Sequence, residues 1–252
     1  MAYADFAEIY DSLMTDIPYG AWCDYLEGLL KKYGVPNGLV AELGCGTGAV
    51  TERLAEKGYD MTGIDLSPEM LQKAIEKRDA SGLPILYLNQ DMRDFELYGT
   101  MAAFVSVCDS MNYLTEDADF VDTLRLVNNY LDPGGVFIFD LKTEHYFRET
   151  LGTTVQKYEE DGRFFVWDNE YVAEERLNYY SLTWFSENAD GRYERNDEDQ
   201  VQRAYSVDEV KKLAEDAGMT FVTAFRAFSE DTSSAEDDRI YIILKEKGKK
   251  IQ

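Results

Sequence analysis

The chain has 252 residues, 49 acidic against 25 basic, for a formal net charge of −24, a balance that argues against nucleic acid or an anionic membrane as partner. Its hydrophobic share of 45% can fill a sizeable core, and only five prolines interrupt it. Cys23, Cys45 and Cys108 fit neither a disulfide framework nor a metal-ligand spacing, no signal peptide opens the chain, and no apolar run approaches a membrane span, so a reduced, cytoplasmic protein without a metal is expected.

In chain order, two helical pieces are expected on either side of Pro18. In the second, Trp22, Leu26, Leu29, Leu30 and Tyr33 recur at helical spacing, and Gly34 and Pro36 close it. The apolar run GLVAEL (38–43) reads as a strand. After three glycines, Val50, Leu54 and Ala55 mark a helix that Gly58 ends. MTGIDL (61–66) reads as the second strand. Ser67-Pro68-Glu69 then starts a helix, with the serine as cap and the proline in the first turn. Its buried face is Met70, Leu71, Ala74 and Ile75. ILYLNQD (85–91) and AAFVSVCD (102–109) read as strands, Phe120, Leu124, Val127 and Leu131 as a helix face, and GGVFIFDL (134–141) as a fifth strand. Strands alternating with helices in this rhythm predict a parallel sheet covered on both faces, with right-handed crossovers.

After Leu141 the rhythm breaks. From about Thr154 to Gln202 short alternating runs surround turn signals at Asp161-Gly162 and Asp190-Gly191, which predicts about four antiparallel strands rich in tyrosine and acidic side chains. A helix over 206–218 and strands over 219–228 and 239–247 resume the α/β pattern. The meander therefore interrupts one α/β unit. The organisation expected is an N-terminal helical lid (1–37), a ligand-binding unit (38–141 with 204–252) and an antiparallel β insertion (142–203).

The glycines stand at Gly44, Gly46 and Gly48, between the first strand and a helix. Such a turn can hold a phosphate, a dinucleotide or another nucleotide-like ligand. No lysine follows to make a phosphate loop, and the dinucleotide spacing is incomplete. Glu42 puts a carboxylate where a pyrophosphate would be repelled and an ammonium group welcomed. Asp65, closing the second strand, suits a ribose diol. Asp91 offers a carboxylate to an exocyclic amine, and Met92 an apolar face to a purine. A ligand with a ribose, an adenine and a cationic amino-acid tail fits this set, and S-adenosylmethionine is such a ligand.

At these residues the chain resembles the class I S-adenosylmethionine-dependent methyltransferases. The likeness rests on ELGCGTG (42–48), GIDLS (63–67), NQDMRDF (89–95), VCDSMNYL (107–114) and LDPGGVFIFDL (131–141). It implies a Rossmann-like, mostly parallel seven-stranded sheet of order 3-2-1-4-5-7-6 with strand 7 antiparallel, helices on both faces, N-terminal helices and the antiparallel β insertion. It also implies that Gly44, Cys45 and Gly46 approach the methionine moiety, Asp65 the ribose, and Asp91 and Met92 the adenine. Leu66, Met70 and Gln90 join the cofactor set. Cys108, Asp109 and Asn112 border the sulfonium, and Tyr10 and Trp22 close over it.

The resulting expectation is an enzyme that transfers a methyl group to O, N or C of a small-molecule acceptor. CDSMNY after the fourth strand departs from the [DN]PPY of many nucleic-acid and protein amide methyltransferases, which lowers the odds of those substrates. RNA or protein methylation and a non-catalytic S-adenosylmethionine-binding module remain alternatives, and Glu42 opposes a nicotinamide-dependent dehydrogenase. His145, the only histidine, follows the fifth strand and is the candidate general base, against the bland reading of a bystander in a loop. The meander is expected to roof the acceptor, with a homodimer surface as its competing role, and one or two of its tyrosines to line the pocket.

Overall fold

The architecture comes from a computed structural model that describes residues 7, 10, 11, 14, 17–160, 162–188 and 190–249. The expected helix before Pro18 falls largely outside the described residues, as does Asp161 of the expected Asp161-Gly162 turn. In chain order the elements are α1 (Tyr19–Lys32), β1 (Gly38–Leu43), α2 (Ala49–Glu56), β2 (Tyr59–Asp65), α3 (Pro68–Ser81), β3 (Leu86–Asn89), β4 (Met101–Ser106), α4 (Asp117–Tyr130) and β5 (Leu131–Lys142). Then follow β6 (Val155–Glu160), β7 (Arg163–Val172), β8 (Leu177–Glu187), β9 (Tyr193–Arg203), α5 (Val207–Asp216), β10 (Thr220–Arg226) and β11 (Arg239–Lys245).

Seven strands form one sheet in the order β10-β11-β5-β4-β1-β2-β3. The neighbours from β5 to β3 pair in parallel, while β11 runs antiparallel to both β5 and β10. This is the expected order. Its cause is visible in the strand residues, because successive side chains point to opposite faces. Phe137, Phe139 and Leu141 pack on one face with Phe120, Leu124 and Val127 of α4 and Val210 and Leu213 of α5. Val136 and Ile138 pack on the other with Leu26, Leu29 and Leu30 of α1 and Leu54 of α2. A strand apolar at every position is stable only between two helical layers.

Helix ends follow local chemistry. The Ser67 hydroxyl accepts from the Met70 amide with Pro68 in the first turn, and Ser206 and Glu209 form a reciprocal capping box on α5. Strand ends shift by a few residues from the sequence expectation, and two of the shifts have a local cause. Leu131 opens β5 and pairs with Met101 instead of ending α4, since Pro133 lacks an N–H and favours an extended chain before it. The fourth strand stops at Ser106, because Cys108 and Asp109 turn left-handed at φ 59° and 57° and a 3-10 turn over Ser110–Tyr113 follows.

The second sheet, in the order β6-β7-β8-β9, is antiparallel throughout. Phe165, Leu182 and Trp184 from its inner face pack on Met70 of α3 together with Ala7 and Tyr10. Farther along the same face, Tyr180 meets Phe147 and Leu151 of a π-helical turn over Tyr146–Leu151. Asn112 joins the two ends of the insertion: its Nδ2 donates to the carbonyls of Lys142 and Arg203, and its Oδ1 accepts from the Lys142 amide.

Candidate active site

The parallel strands β1 to β5 all deliver their carboxyl ends to one edge of the sheet, where ligands of such folds bind. At this edge lies a cavity of about 710 Å³, walled on the far side by the inner face of the second sheet. All of the expected cofactor residues except Asn112 line it, namely Tyr10, Trp22, Glu42, Gly44, Cys45, Gly46, Asp65, Leu66, Met70, Gln90, Asp91, Met92, Cys108 and Asp109.

The glycine turn is built for close packing and for a ligand without phosphate. A Cβ on Gly44 would sit 2.6 Å from the Ser110 side chain, and one on Gly48 only 2.4 Å from the Tyr87 hydroxyl, both at positive φ. A Cβ on Gly46 would meet nothing within 4 Å. Four amides of the turn are already engaged. Those of Gly44 and Cys45 donate to the Ile64 carbonyl, that of Gly48 to the Cys45 carbonyl, and that of Gly46 to Asp65 Oδ2 at 2.7 Å. Asp65 Oδ1 takes the Ser67 amide at 2.9 Å. Each carboxylate oxygen thus holds one main-chain donor and keeps a lone pair for a second, as a vicinal diol requires.

Glu42 is buried at 2% exposure and accepts from the Thr51 hydroxyl. Burial pushes its carboxyl up to about 8 despite that hydrogen bond. A cationic ligand beside it would restore the carboxylate. Asp91 stands in the wall, but both of its oxygens are held by the Arg93 guanidinium, which keeps the carboxyl below its usual range. The N-terminal side is tied down through Asp11, which accepts from the Thr47 hydroxyl at 2.6 Å and pairs with Lys77 of α3 at 2.5 Å.

The part of the cavity beside β5 and β11 is organised by charges inside the apolar strands. Arg239, at the start of β11, pairs with Asp140 of β5 and, at 2.8 Å, with Asp109. Lys142 Nζ lies 3.2 Å from Asp109 Oδ2 and over the rings of Tyr146 and Tyr180. The Asp109 amide donates to Asp140 Oδ1, which fixes the left-handed turn. Burial pushes the Asp109 carboxyl up, but Lys142 and Arg239 outweigh it and hold the group below its ordinary value. Arg239 also lies over the Trp22 ring at 5.1 Å.

Two of the expected site residues lie off the cavity wall. Asn112 lies off the cavity wall, with its buried amide spent on the main chain of Lys142 and Arg203. His145 also lies off the wall, 3.8 Å from the half-exposed Asp238 carboxylate. The chain coils into a π-helical turn directly after it. Of the meander tyrosines only Tyr180 reaches the cavity. Lys142, Gln200, Gln202 and Arg239 were missed; Asp140 and Arg239 carried a signal, since a charge inside an otherwise apolar strand needs a buried partner.

The comparisons agree with this geometry. Residues 40–135 match a family model described as "Methyltransferase domain". Over 242 residues the chain is 33% identical to "Putative methyltransferase YqeM" of Bacillus subtilis (strain 168), covering 96% of each protein. It superposes with a TM-score of 0.86 and 28% identity on an S-adenosylmethionine-dependent methyltransferase from Clostridium acetobutylicum, covering 98% of this chain and 100% of that one. Over 143 residues, 56% of this chain and 58% of the relative, it is 29% identical to dTDP-3-amino-3,4,6-trideoxy-alpha-D-glucopyranose N,N-dimethyltransferase of Streptomyces venezuelae. With the glycine turn, Asp65 and the strand order in agreement, the chain belongs to the S-adenosylmethionine-dependent methyltransferases.

Proposed function

We propose that this methyltransferase acts on a small-molecule acceptor, at O, N or C, held between the carboxyl edge of the seven-stranded sheet and the inner face of the insertion. The observation that carries this reading is the single cavity shared by the glycine turn, Asp65 and residues of the insertion such as Trp167 and Tyr180. The donor half fits the cofactor by charge, since Glu42, Asp65, Glu69 and Asp91 face only Arg93 there. In this reading Glu42 receives the ammonium group, the open main chain at Gly46 lies along the methionine, Asp65 takes the ribose hydroxyls, and Met92 and Leu66 pack on the adenine.

Bound S-adenosylmethionine supplies an activated methyl group on a sulfonium that leaves as a neutral thioether. The chain's own residues have to align the acceptor and keep water out, and alignment alone can supply several powers of ten in rate. Tyr10, Trp22 and Met70 cover the donor side, and the Asp109–Arg239–Asp140 cluster fixes the loop against which the acceptor rests. A net charge of −24 and a walled site both favour a small acceptor over nucleic acid. No helix among the described residues is long and apolar enough to cross a membrane, and three free cysteines fit a cytoplasmic setting.

The test combines methyl-labelled S-adenosylmethionine with pooled small molecules and reads the products by mass spectrometry. Label in a low-mass product is expected; label only in protein or RNA, or tight NAD binding without a response to S-adenosylmethionine, overturns the reading. A sizing column addresses the competing role of the insertion as a homodimer face, in which case its removal yields a monomer with intact activity.

A further inference from the structure

The tight turn that follows β10 carries a residue that the turn itself does not favour. The Ser229 amide donates to the Arg226 carbonyl, which closes a four-residue turn, and Phe228 holds its third position at φ 59°. Glycine or asparagine usually fills a third position with positive φ, because a larger side chain there crowds the main chain. A bulky aromatic residue in the left-handed region is an outlier. Phe228 is also 47% exposed, so burial of its own ring is a weak reason to keep it there. Strain of this kind persists where the surrounding contacts require it.

Those contacts are aromatic, and they lead inward. The Phe228 ring lies 5.4 Å from Trp22, 5.7 Å from Tyr25 and 5.9 Å from Tyr241, distances at which rings attract beyond their burial alone. Of these four residues only Trp22 lines the cavity. Its indole has a second close partner in the Arg239 guanidinium, 5.1 Å over the ring, and Arg239 is fixed in turn by Asp109 and Asp140. The turn is tied to α1 at two further points. The Tyr25 hydroxyl donates to the Ser229 carbonyl at 2.7 Å, and Lys32 pairs with Glu230 at 2.8 Å. Residues 22, 25 and 32 stand three and seven positions apart and so share one face of α1. The Lys32 pair is exposed and contributes little. The ring of Phe228 is the tether that reaches the cavity wall.

We propose that Phe228 is a positioning residue for cofactor binding: from outside the cavity its ring fixes the Trp22 indole in the wall, beside Arg239. The inference rests on the reading that Trp22 covers the donor side, and adds to it what holds that cover in place. Without the ring the indole is free to change rotamer, and the wall loosens although no residue in contact with the cofactor has been altered.

The test titrates S-adenosylhomocysteine into the full chain by calorimetry. Phe228→Gly removes the ring and supplies the residue that the turn prefers; it should weaken the ligand about two- to tenfold, the value of one aromatic pair. Phe228→Tyr restores a ring and should return the affinity to within about twofold of the parent. Trp22→Leu should weaken the ligand about tenfold. The variant carrying both Trp22→Leu and Phe228→Gly should bind no more weakly than Trp22→Leu alone, because a residue that acts only through another adds nothing once that one is gone. Acrylamide should quench tryptophan fluorescence more strongly in Phe228→Gly than in the parent, and this gain should vanish in the Trp22→Leu background. Phe228→Leu keeps an apolar side chain without a ring; it should weaken the ligand by a similar factor and decides the matter if Phe228→Gly fails to fold. Unchanged affinity in Phe228→Gly and Phe228→Leu, additive losses in the double variant, a quenching gain that survives without Trp22, or no recovery in Phe228→Tyr overturns the inference. Unchanged affinity in Trp22→Leu overturns the reading that Trp22 covers the donor side, and this inference with it.

Discussion

The two sheets of the molecule solve the burial problem in opposite ways. The seven-stranded sheet is covered on both faces, and its central strands are apolar at nearly every position, as in Val136 to Phe139. The four-stranded sheet is covered on one face only, and that face mixes Phe165, Leu182 and Trp184 with buried Asn169, Asn178, Glu198 and Gln202. Apolar residues on an inner face are explained by packing. Polar ones at the same burial must be answered by a partner, and two of these, Asn169 and Gln202, border the cavity. The first sheet is thus built to be rigid, and the second gives up some rigidity to present hydrogen-bonding groups.

Alanine at one large side chain of each sheet tests that contrast most severely. Phe139→Ala and Trp184→Ala should each cost about 3–5 kcal/mol in urea unfolding, since both are buried aromatics. Their effects on the cofactor should differ. Trp184→Ala should leave S-adenosylmethionine affinity within about tenfold, roughly 1.4 kcal/mol, while Phe139→Ala should broaden the unfolding of the whole sheet. Equal loss of affinity in both would erase the distinction. Arg239→Met probes the junction between the sheets. It strands the buried carboxylates of Asp109 and Asp140 and should also cost about 3–5 kcal/mol. A cost near zero in the same titration would mean that both carboxylates find water.

Asp65→Ala should weaken S-adenosylmethionine by about 1–3 kcal/mol in calorimetry, with little change in melting temperature. Glu42 gives a pH signature. Its carboxyl ionises near 8 in the folded chain against an ordinary 4.5. Between these values the folded state holds a proton that the unfolded state has lost. Stability from this group is therefore complete below 4.5 and falls as the pH rises towards 8. Glu42→Gln should flatten that decline. Cofactor binding at pH 7 should release up to about one proton, read from calorimetry in buffers of different ionisation enthalpy; binding with no proton release would show that the ammonium sits elsewhere. The smallest effect is expected for His145→Ala, which lies off the cavity and should leave the transfer rate within about twofold.

The parallel sheet was legible because GLVAEL and VFIFDL admit no other stable environment, and Ser67-Pro68 or Ser206 with Glu209 mark helix starts locally. One side of the cavity was legible for the same reason, since the glycine turn, Asp65 and Met92 all lie at or within a few residues of strand ends. The side beside the insertion was not. Gln202 meets Asp109 across 93 positions of chain, and Arg239 meets it across 130. Nothing within a local window distinguishes Asn112, which serves the main chain, from Asp109, which faces the cavity. His145 sits at the right distance after β5, yet it lies off the cavity wall beside a π-helical turn that no local pattern predicts.

The Asn112 amide fastens both ends of the insertion, at Lys142 and at Arg203, to a single point on the core. The second sheet therefore leaves and rejoins the chain at nearly one place, and nothing in the strand order of the first depends on what lies between. Such a joint makes the insertion an exchangeable cassette. A lineage, or an engineer splicing between residues 142 and 203, can replace this wall of the cavity wholesale while the seven-stranded sheet is inherited unchanged.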